Sequence, residues 1–121
     1  MRLTTFLMCA AALLATPAFA QAPDGGTIFK QRCGACHSAV KGAPAGIAPN
    51  MAGIAGRKAA SSAYANYSPA LKASNLKWDA ATLDKFLSGP TKLVPGTRMV
   101  ISLSDPGQRA AVVAYLGTLK K

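Results

Sequence analysis

Residues 30–40, KQRCGACHSAV, hold two of the chain's three cysteines and its only histidine. On a helical turn, residues three apart lie on one face, so Cys33 and Cys36 can both reach the two vinyl groups along one edge of a porphyrin. His37 follows directly and can bring its imidazole beneath the iron. The C-x-x-C-H pattern is typical of covalent attachment of a c-type haem.

Three other kinds of site use similar residues. A thioredoxin-like C-x-x-C needs a strand–helix context and the N-terminus of a helix, whereas this pair is expected at the end of a helix. A structural zinc site needs four ligands, and after residue 20 the chain offers only Cys33, Cys36 and His37 from the usual nitrogen and sulfur set. A plain disulfide would leave a loop-rich fold without a centre. Haem is therefore favoured over these alternatives.

The second axial ligand decides what a haem can do. Iron with one protein ligand can bind gases or peroxide, which would make the chain a haem enzyme or a sensor, whereas a second strong ligand favours electron transfer. With no second histidine, the candidates after residue 20 are Met51 and Met99. Met99 ends a loop stiffened by Pro95 and turned by Gly96, far enough along the chain to reach the opposite haem face. Met99 is the predicted ligand, and Met51 is expected at the ring edge.

Four short helices are predicted from capping signals. The first is expected to carry Cys33 and Cys36 beside its apolar residues, Asn75 is a suitable stop for the second, and Gly89-Pro90 should end the third. Residues 38–60 are rich in glycine and proline and predict a long loop. No strand is convincing, so the predicted class is all-α, with three to five short helices and long loops. The predicted N-caps are Asp24, Ser68, Asp79 and Asp105.

The first twenty residues have the pattern of a cleaved signal peptide. Arg2 gives a positive start, an apolar stretch follows, and residues 18–20, Ala-Phe-Ala, form a small-x-small cleavage site. Cleavage removes Cys9 and leaves residues 21–121 as a single periplasmic domain. The alternative is an uncleaved segment that anchors the protein in a membrane, although a spanning helix needs about 20 apolar residues.

The remaining chain is strongly basic. Without Arg2, the 14 Lys and Arg residues fall to 13, against four acidic residues, which gives a formal charge of +9. Such a charge favours acidic proteins, an anionic membrane surface or nucleic acid, and export disfavours nucleic acid. We therefore expect a basic face that meets acidic proteins, with a generally solvated surface as the alternative.

In their order and spacing, the motifs resemble class I cytochrome c, of the exported bacterial kind close to mitochondrial cytochrome c. The resemblance covers residues 24–119 and rests on the C-x-x-C-H motif and on residues 49–57, 67–78 and 95–99. It implies short helices and long loops around one covalently attached haem c. It also implies a soluble, monomeric one-electron carrier in a respiratory or photosynthetic chain.

The resemblance also implies which residues support the two axial ligands. The carbonyl of Pro49 corresponds to the group that accepts a hydrogen bond from the proximal histidine, His37, which raises its basicity as a ligand. Thr97 corresponds to a hydroxyl near the sulfur of Met99. Ala48 departs from the family pattern, since a glycine is usual before this proline.

Three further positions correspond to residues near a haem propionate. Tyr67 and Trp78 would donate hydrogen bonds to the buried carboxylate, and Arg57 would lie near the same charge. Phe86 stands where a tyrosine is common in the network near the methionine sulfur. Ile101 stands where an aromatic residue usually covers the exposed haem edge.

Partner docking is expected around the exposed haem edge. Arg32, Lys92 and Arg98 should flank it and steer the protein to acidic docking sites. The resemblance implies a cytochrome bc complex as donor and cytochrome c oxidase as acceptor, and another exported reductase or dehydrogenase fits equally well. Membrane contact is expected to be peripheral at most. Outer candidates for docking are Lys30, Lys41 and Lys85.

Overall fold

A computed structural model of the chain describes residues 15–17 and 23–121. Across these ranges the secondary structure is helical, without a regular strand, and Lys58 and Lys77 form an isolated antiparallel bridge. The predicted all-α class with short helices and long loops is confirmed. The helices in chain order are α1 (Gly25–Arg32), α2 (Pro69–Ala73), α3 (Ala80–Ser88), α4 (Pro90–Leu93) and α5 (Pro106–Thr118).

The predicted signal peptide over residues 1–20, with its cleavage site and Cys9, lies outside the described residues except for residues 15–17. None of the helices within the described ranges combines the length and the apolar character that crossing a membrane would require.

Side-chain caps begin four of the helices, as predicted. Each cap accepts a hydrogen bond from the backbone N–H three residues on, which satisfies one of the donors that a helix N-terminus leaves free. Pro69 and Pro106 follow two of these caps at the first helical position, where a missing N–H costs nothing. The capping residues are Asp24, Ser68, Asp79 and Asp105.

Because the cap of α3 is a carboxylate, we expect the free energy of unfolding to depend on pH through Asp79. Hydrogen bonds from the backbone and side chain of Thr82 lower the pKa of Asp79 below its ordinary value of 3.8. The stabilisation is therefore present above pH 3.8 and is lost as the pH falls through the lower, folded-state pKa. Asp79→Asn keeps an acceptor without this titration, so its deficit in unfolding free energy should be largest at neutral pH and vanish in acid.

Denaturant unfolding of the haem-loaded protein from pH 7 to about pH 2 measures this difference. Asp79→Ala is the control, because it lacks the acceptor at every pH and should stay less stable than Asp79→Asn throughout. A difference between wild type and Asp79→Asn that does not change with pH would contradict the assignment.

The cysteine pair lies beyond α1, so the prediction that this helix carries it is wrong. The helix ends at Arg32 and Cys33 is its C-cap. The backbone N–H groups of Cys36 and His37 both donate to the Cys33 carbonyl, at 3.1 and 2.9 Å, and form a separate turn. Gly34 follows the cap, and a Cβ built there would lie 2.7 Å from the Lys30 carbonyl oxygen, so the turn leaves no room for a side chain.

Two predicted stop signals are confirmed, and one of them also begins a helix. Asn75, with φ of 54°, lies just beyond the end of α2 in the left-handed region that asparagine tolerates. Gly89 caps α3, and Pro90 then opens α4, which the sequence did not predict. Proline suits the first turn of a helix as well as the position after one.

The core joins the first and last helices. Helix α5 packs against α1 and α3, and α3 packs against α4. The rings of Phe29 in α1 and Tyr115 in α5 have centroids 5.4 Å apart. Val112 is the most deeply buried side chain of α5, at 1% exposure. This frame supports one wall of the central cavity.

The predicted loop over residues 38–60 is confirmed, and Asn50 organises it. Its Nδ2 donates to the carbonyls of Val40 and Ala43, at 2.8 and 2.9 Å, and its Oδ1 accepts from the Ala52 N–H at 2.8 Å. One asparagine therefore fixes the loop on either side of itself, and with it the neighbouring Pro49.

Candidate haem site

An apolar cavity of about 340 Å³ opens in the middle of the fold. Helix α3 contributes Leu83, Phe86 and Leu87 to its walls, and α5 contributes Val112 and Leu116. All five side chains are buried. The volume lies within the range of about 300–1,000 Å³ that small-molecule and cofactor sites occupy.

The four predicted attachment and ligand residues all line this cavity. Cys33 and Cys36 reach it from the turn after α1, His37 follows them, and Met99 reaches it from the segment between α4 and α5. No disulfide joins the two cysteines. Met51 lines the same cavity.

The orientation of His37 is fixed by Pro49. Nδ1 of the imidazole lies 2.8 Å from the Pro49 carbonyl oxygen, the contact that the resemblance implies. A carbonyl can only accept, so Nδ1 carries the proton and Nε2 keeps its lone pair for a metal. Because Asn50 holds the loop, the carbonyl that orients the ring is itself held in place.

The predicted propionate donors, Tyr67 and Trp78, are buried and line the cavity, and so does Thr97, the hydroxyl predicted near the Met99 sulfur. The Tyr67 hydroxyl is within hydrogen-bonding distance of the Ser62 hydroxyl. The rings of Trp78 and Phe86 pack with centroids 5.0 Å apart. Phe86 therefore supports the indole with its ring at the position where the family commonly has tyrosine.

Arg57 does not reach the cavity lining. Its Nη2 donates to the Ala52 carbonyl at 3.0 Å, and its side chain faces a separate cleft beside Lys41. Lys92 also lies outside the lining, on α4, where Pro90 is the buried residue and Lys92 is exposed. These two side chains are the predicted site residues that the structure does not bring to the cavity.

Arg32 and Arg98, by contrast, stand at the mouth of the cavity. Both are exposed and line it. Arg32 donates from Nη2 to the Ser102 carbonyl at 3.4 Å, and Arg98 donates from Nη1 to the Asn66 carbonyl. Three exposed aliphatic side chains line the same mouth: Ile47, Val100 and Ile101.

Tyr64 is a cavity residue that sequence reasoning missed. Its hydroxyl donates to the Ile47 carbonyl at 2.7 Å, and its ring meets the Tyr67 ring edge-on, with centroids 5.1 Å apart. The signal available in the sequence was a Tyr-x-x-Tyr spacing inside a loop otherwise poor in large residues. Tyr64 thus ties the outer loop to the buried tyrosine.

The residues present fit a c-type haem. Apolar walls suit a porphyrin, and two cysteines that form no disulfide line the cavity together with one imidazole whose Nε2 is available. A thioether from a different part of the chain lines the same cavity. This donor set is the one that covalent attachment and histidine–methionine ligation require.

Comparison with known proteins agrees with this geometry. The cytochrome c family model matches residues 22–120. Cytochrome c2 of Rhodomicrobium vannielii is 46% identical over 95 residues, covering 78% of this chain and 75% of that protein. Cytochrome c of Guizotia abyssinica is 39% identical over 104 residues, covering 81% and 94%.

A solved structure, cytochrome cH from Methylobacterium extorquens, matches with a TM-score of 0.70 and 42% identity, covering 78% of this chain and 94% of that one. This match confirms the class I cytochrome c fold. The chain therefore belongs to the cytochrome c family, carries one covalently bound haem c and is an electron-transfer protein rather than an enzyme.

Proposed function

We propose that the protein is a soluble, periplasmic one-electron shuttle with His37 and Met99 as axial haem ligands. Cys33 and Cys36 would form the thioether bonds. The observation that carries this proposal is the meeting of all four side chains in one apolar cavity, with His37 oriented by the Pro49 carbonyl. The haem supplies the chemistry by cycling between ferric and ferrous iron.

The protein would supply the two axial ligands of the iron and shield the iron from water. A protonated Nδ1 bound to Pro49 makes the imidazole of His37 a stronger donor at Nε2. A thioether favours the reduced iron and raises the reduction potential. The apolar walls keep water away from the site, so little polar reorganisation accompanies the gain or loss of an electron.

Tyr67 and Trp78 are proposed to hold a buried propionate through their polar hydrogens, and Thr97 to support the Met99 sulfur. Burial of these three side chains in the cavity wall supports the assignment. Donors of this kind offset the cost of burying a carboxylate. Arg57 would act at longer range, since its guanidinium faces the neighbouring cleft.

Carbon monoxide binding tests whether the protein's own ligands keep outside molecules from the iron. The reduced protein at neutral pH should not bind it promptly, because His37 and Met99 would hold the iron from both sides. Prompt binding would contradict the shuttle and favour a haem enzyme or a sensor with a displaceable methionine.

The proposed partners are acidic redox proteins that approach the cavity mouth. A cytochrome bc complex and cytochrome c oxidase, or another exported reductase or dehydrogenase, have the required activities. Arg32 and Arg98 flank exposed aliphatic side chains there. Such an arrangement suits an apolar contact surrounded by steering charges. Lys92 would contribute to the wider positive field.

Removing the positive charges of Arg32 and Arg98 at the cavity mouth should slow electron transfer to the partner. We expect Arg32→Gln with Arg98→Gln to lower the second-order rate of oxidation by cytochrome c oxidase about tenfold at low salt, and to flatten its salt dependence. Lys58→Gln with Lys77→Gln is the matched control, since it removes the same charge at the isolated bridge, outside the cavity lining. If both double variants lowered the rate of oxidation and its salt dependence equally, net charge alone would control the rate, and docking at the cavity mouth would be contradicted.

A further inference from the structure

The segment after Met99 has no regular secondary structure before α5 begins, so individual contacts must fix its path. Before the methionine, the Thr97 N–H donates to the Val94 carbonyl at 3.0 Å. After it, the Leu103 N–H donates to the Leu87 carbonyl of α3 at 2.8 Å. Leu103 is 3% exposed and lines the cavity. The chain thus rejoins the core at Leu103.

An arginine of α5, Arg109, also binds the chain at Leu103. Nη1 of Arg109 donates to the carbonyls of Leu103 and Ser104, each at 2.9 Å. Its Nε donates to Asp84 Oδ1 of α3, also at 2.9 Å, so the two side chains form an ion pair. A single guanidinium therefore joins α3, α5 and the segment that carries Met99.

We propose that Arg109 is a positioning residue for Met99. By holding Leu103 and Ser104, it keeps the segment closed over the cavity, so that the thioether stays in place and outside ligands are kept from the iron. This inference rests on the proposed ligation of the iron by Met99.

The two carbonyl contacts should carry most of the effect. The Arg109 side chain is only 14% exposed, and charge-assisted hydrogen bonds to backbone oxygens are strong in such surroundings. Removing the guanidinium would leave two carbonyl oxygens without their donor. The Asp84 side chain is 47% exposed, so its ion pair is screened and contributes less.

Imidazole is a suitable probe, because it binds ferric haem iron only when the methionine ligand leaves. We expect Arg109→Gln to bind imidazole at least about tenfold more tightly than wild type, since its charge-assisted donors are lost. Arg109→Lys should be intermediate, because one ammonium cannot reproduce the planar fork. Asp84→Asn should change the affinity less than about threefold, because the carbonyl contacts remain.

Hydrogen exchange separates positioning from general destabilisation. In Arg109→Gln, the Leu103 amide hydrogen should exchange about tenfold faster. The reason is that the segment carrying Met99 would open more easily, which is the same change that tighter imidazole binding measures. Ile28→Val is the control, since Ile28 is buried in the core but outside the cavity lining. It should lower global stability without raising imidazole affinity or speeding exchange at Leu103.

The possible results distinguish this inference from the proposed function. If both Arg109 variants bound imidazole no more tightly than Ile28→Val, the positioning role would be overturned; if Arg109→Gln did not fold, Arg109→Lys alone would decide in the same way. If wild-type protein bound imidazole as readily as Met99→Leu, the ligation by Met99 would fail, and the inference with it.

Discussion

Replacing Met99 with leucine is expected to convert a closed electron carrier into an open haem protein. Leucine has a similar volume and preserves the apolar lining, so the change in packing alone should cost less than about 1.5 kcal/mol and the fold should survive. The iron would lose its sulfur ligand. We therefore expect prompt carbon monoxide binding to the reduced protein and a reduction potential lower by on the order of 0.1 V or more.

Met51→Leu is the matched control for this experiment. Met51 lines the same cavity, and its replacement makes the same change in side-chain chemistry. The variant should keep the wild-type potential and remain closed to carbon monoxide. If Met51→Leu opened the site and Met99→Leu did not, the ligand assignment of the two methionines would have to be exchanged.

The second large effect is expected at Gly25, where α1 and α5 meet. A Cβ built on Gly25 would lie 2.0 Å from the Ala111 carbonyl oxygen and 2.9 Å from Tyr115 Cβ. The obstacle is mainly backbone, which a side-chain rotation cannot relieve. Gly25→Ala should therefore force the helices apart and lower the free energy of unfolding by about 1–3 kcal/mol, measured with denaturant.

Gly26→Ala provides the control, because the same change is made one residue along the same helix. Its Cβ would lie 3.3 Å from Tyr115 Cε2, the edge of a side chain that can shift. The substitution also gains the helix propensity of alanine. We expect little loss or a small gain in stability, and equal losses at the two glycines would contradict the close approach at Gly25.

Features set by neighbouring residues were predictable from the sequence. A cap needs one acceptor side chain and an N–H three residues later, so Asp24, Ser68, Asp79 and Asp105 could be recognised without the fold. Cys33 and His37 belong to a motif whose chemistry is likewise local.

Features set by contacts between distant segments could not be predicted in this way. Arg57 and Lys92 have long side chains whose directions depend on the path of the surrounding loops, and neither lines the cavity in the structure. Arg109 gave no local signal, because its contacts with Asp84 and Leu103 form only when distant segments meet in the fold. Helix α4 is only four residues long, too short for a periodic pattern.

The visible spectrum of the oxidised wild-type protein at neutral pH tests the central claim most directly. Ferric haem with a methionine sulfur ligand has a weak absorption band in the far red. The band should be present in wild type, with His37 and Met99 as the axial pair. Its absence from a fully haem-loaded protein would contradict the account.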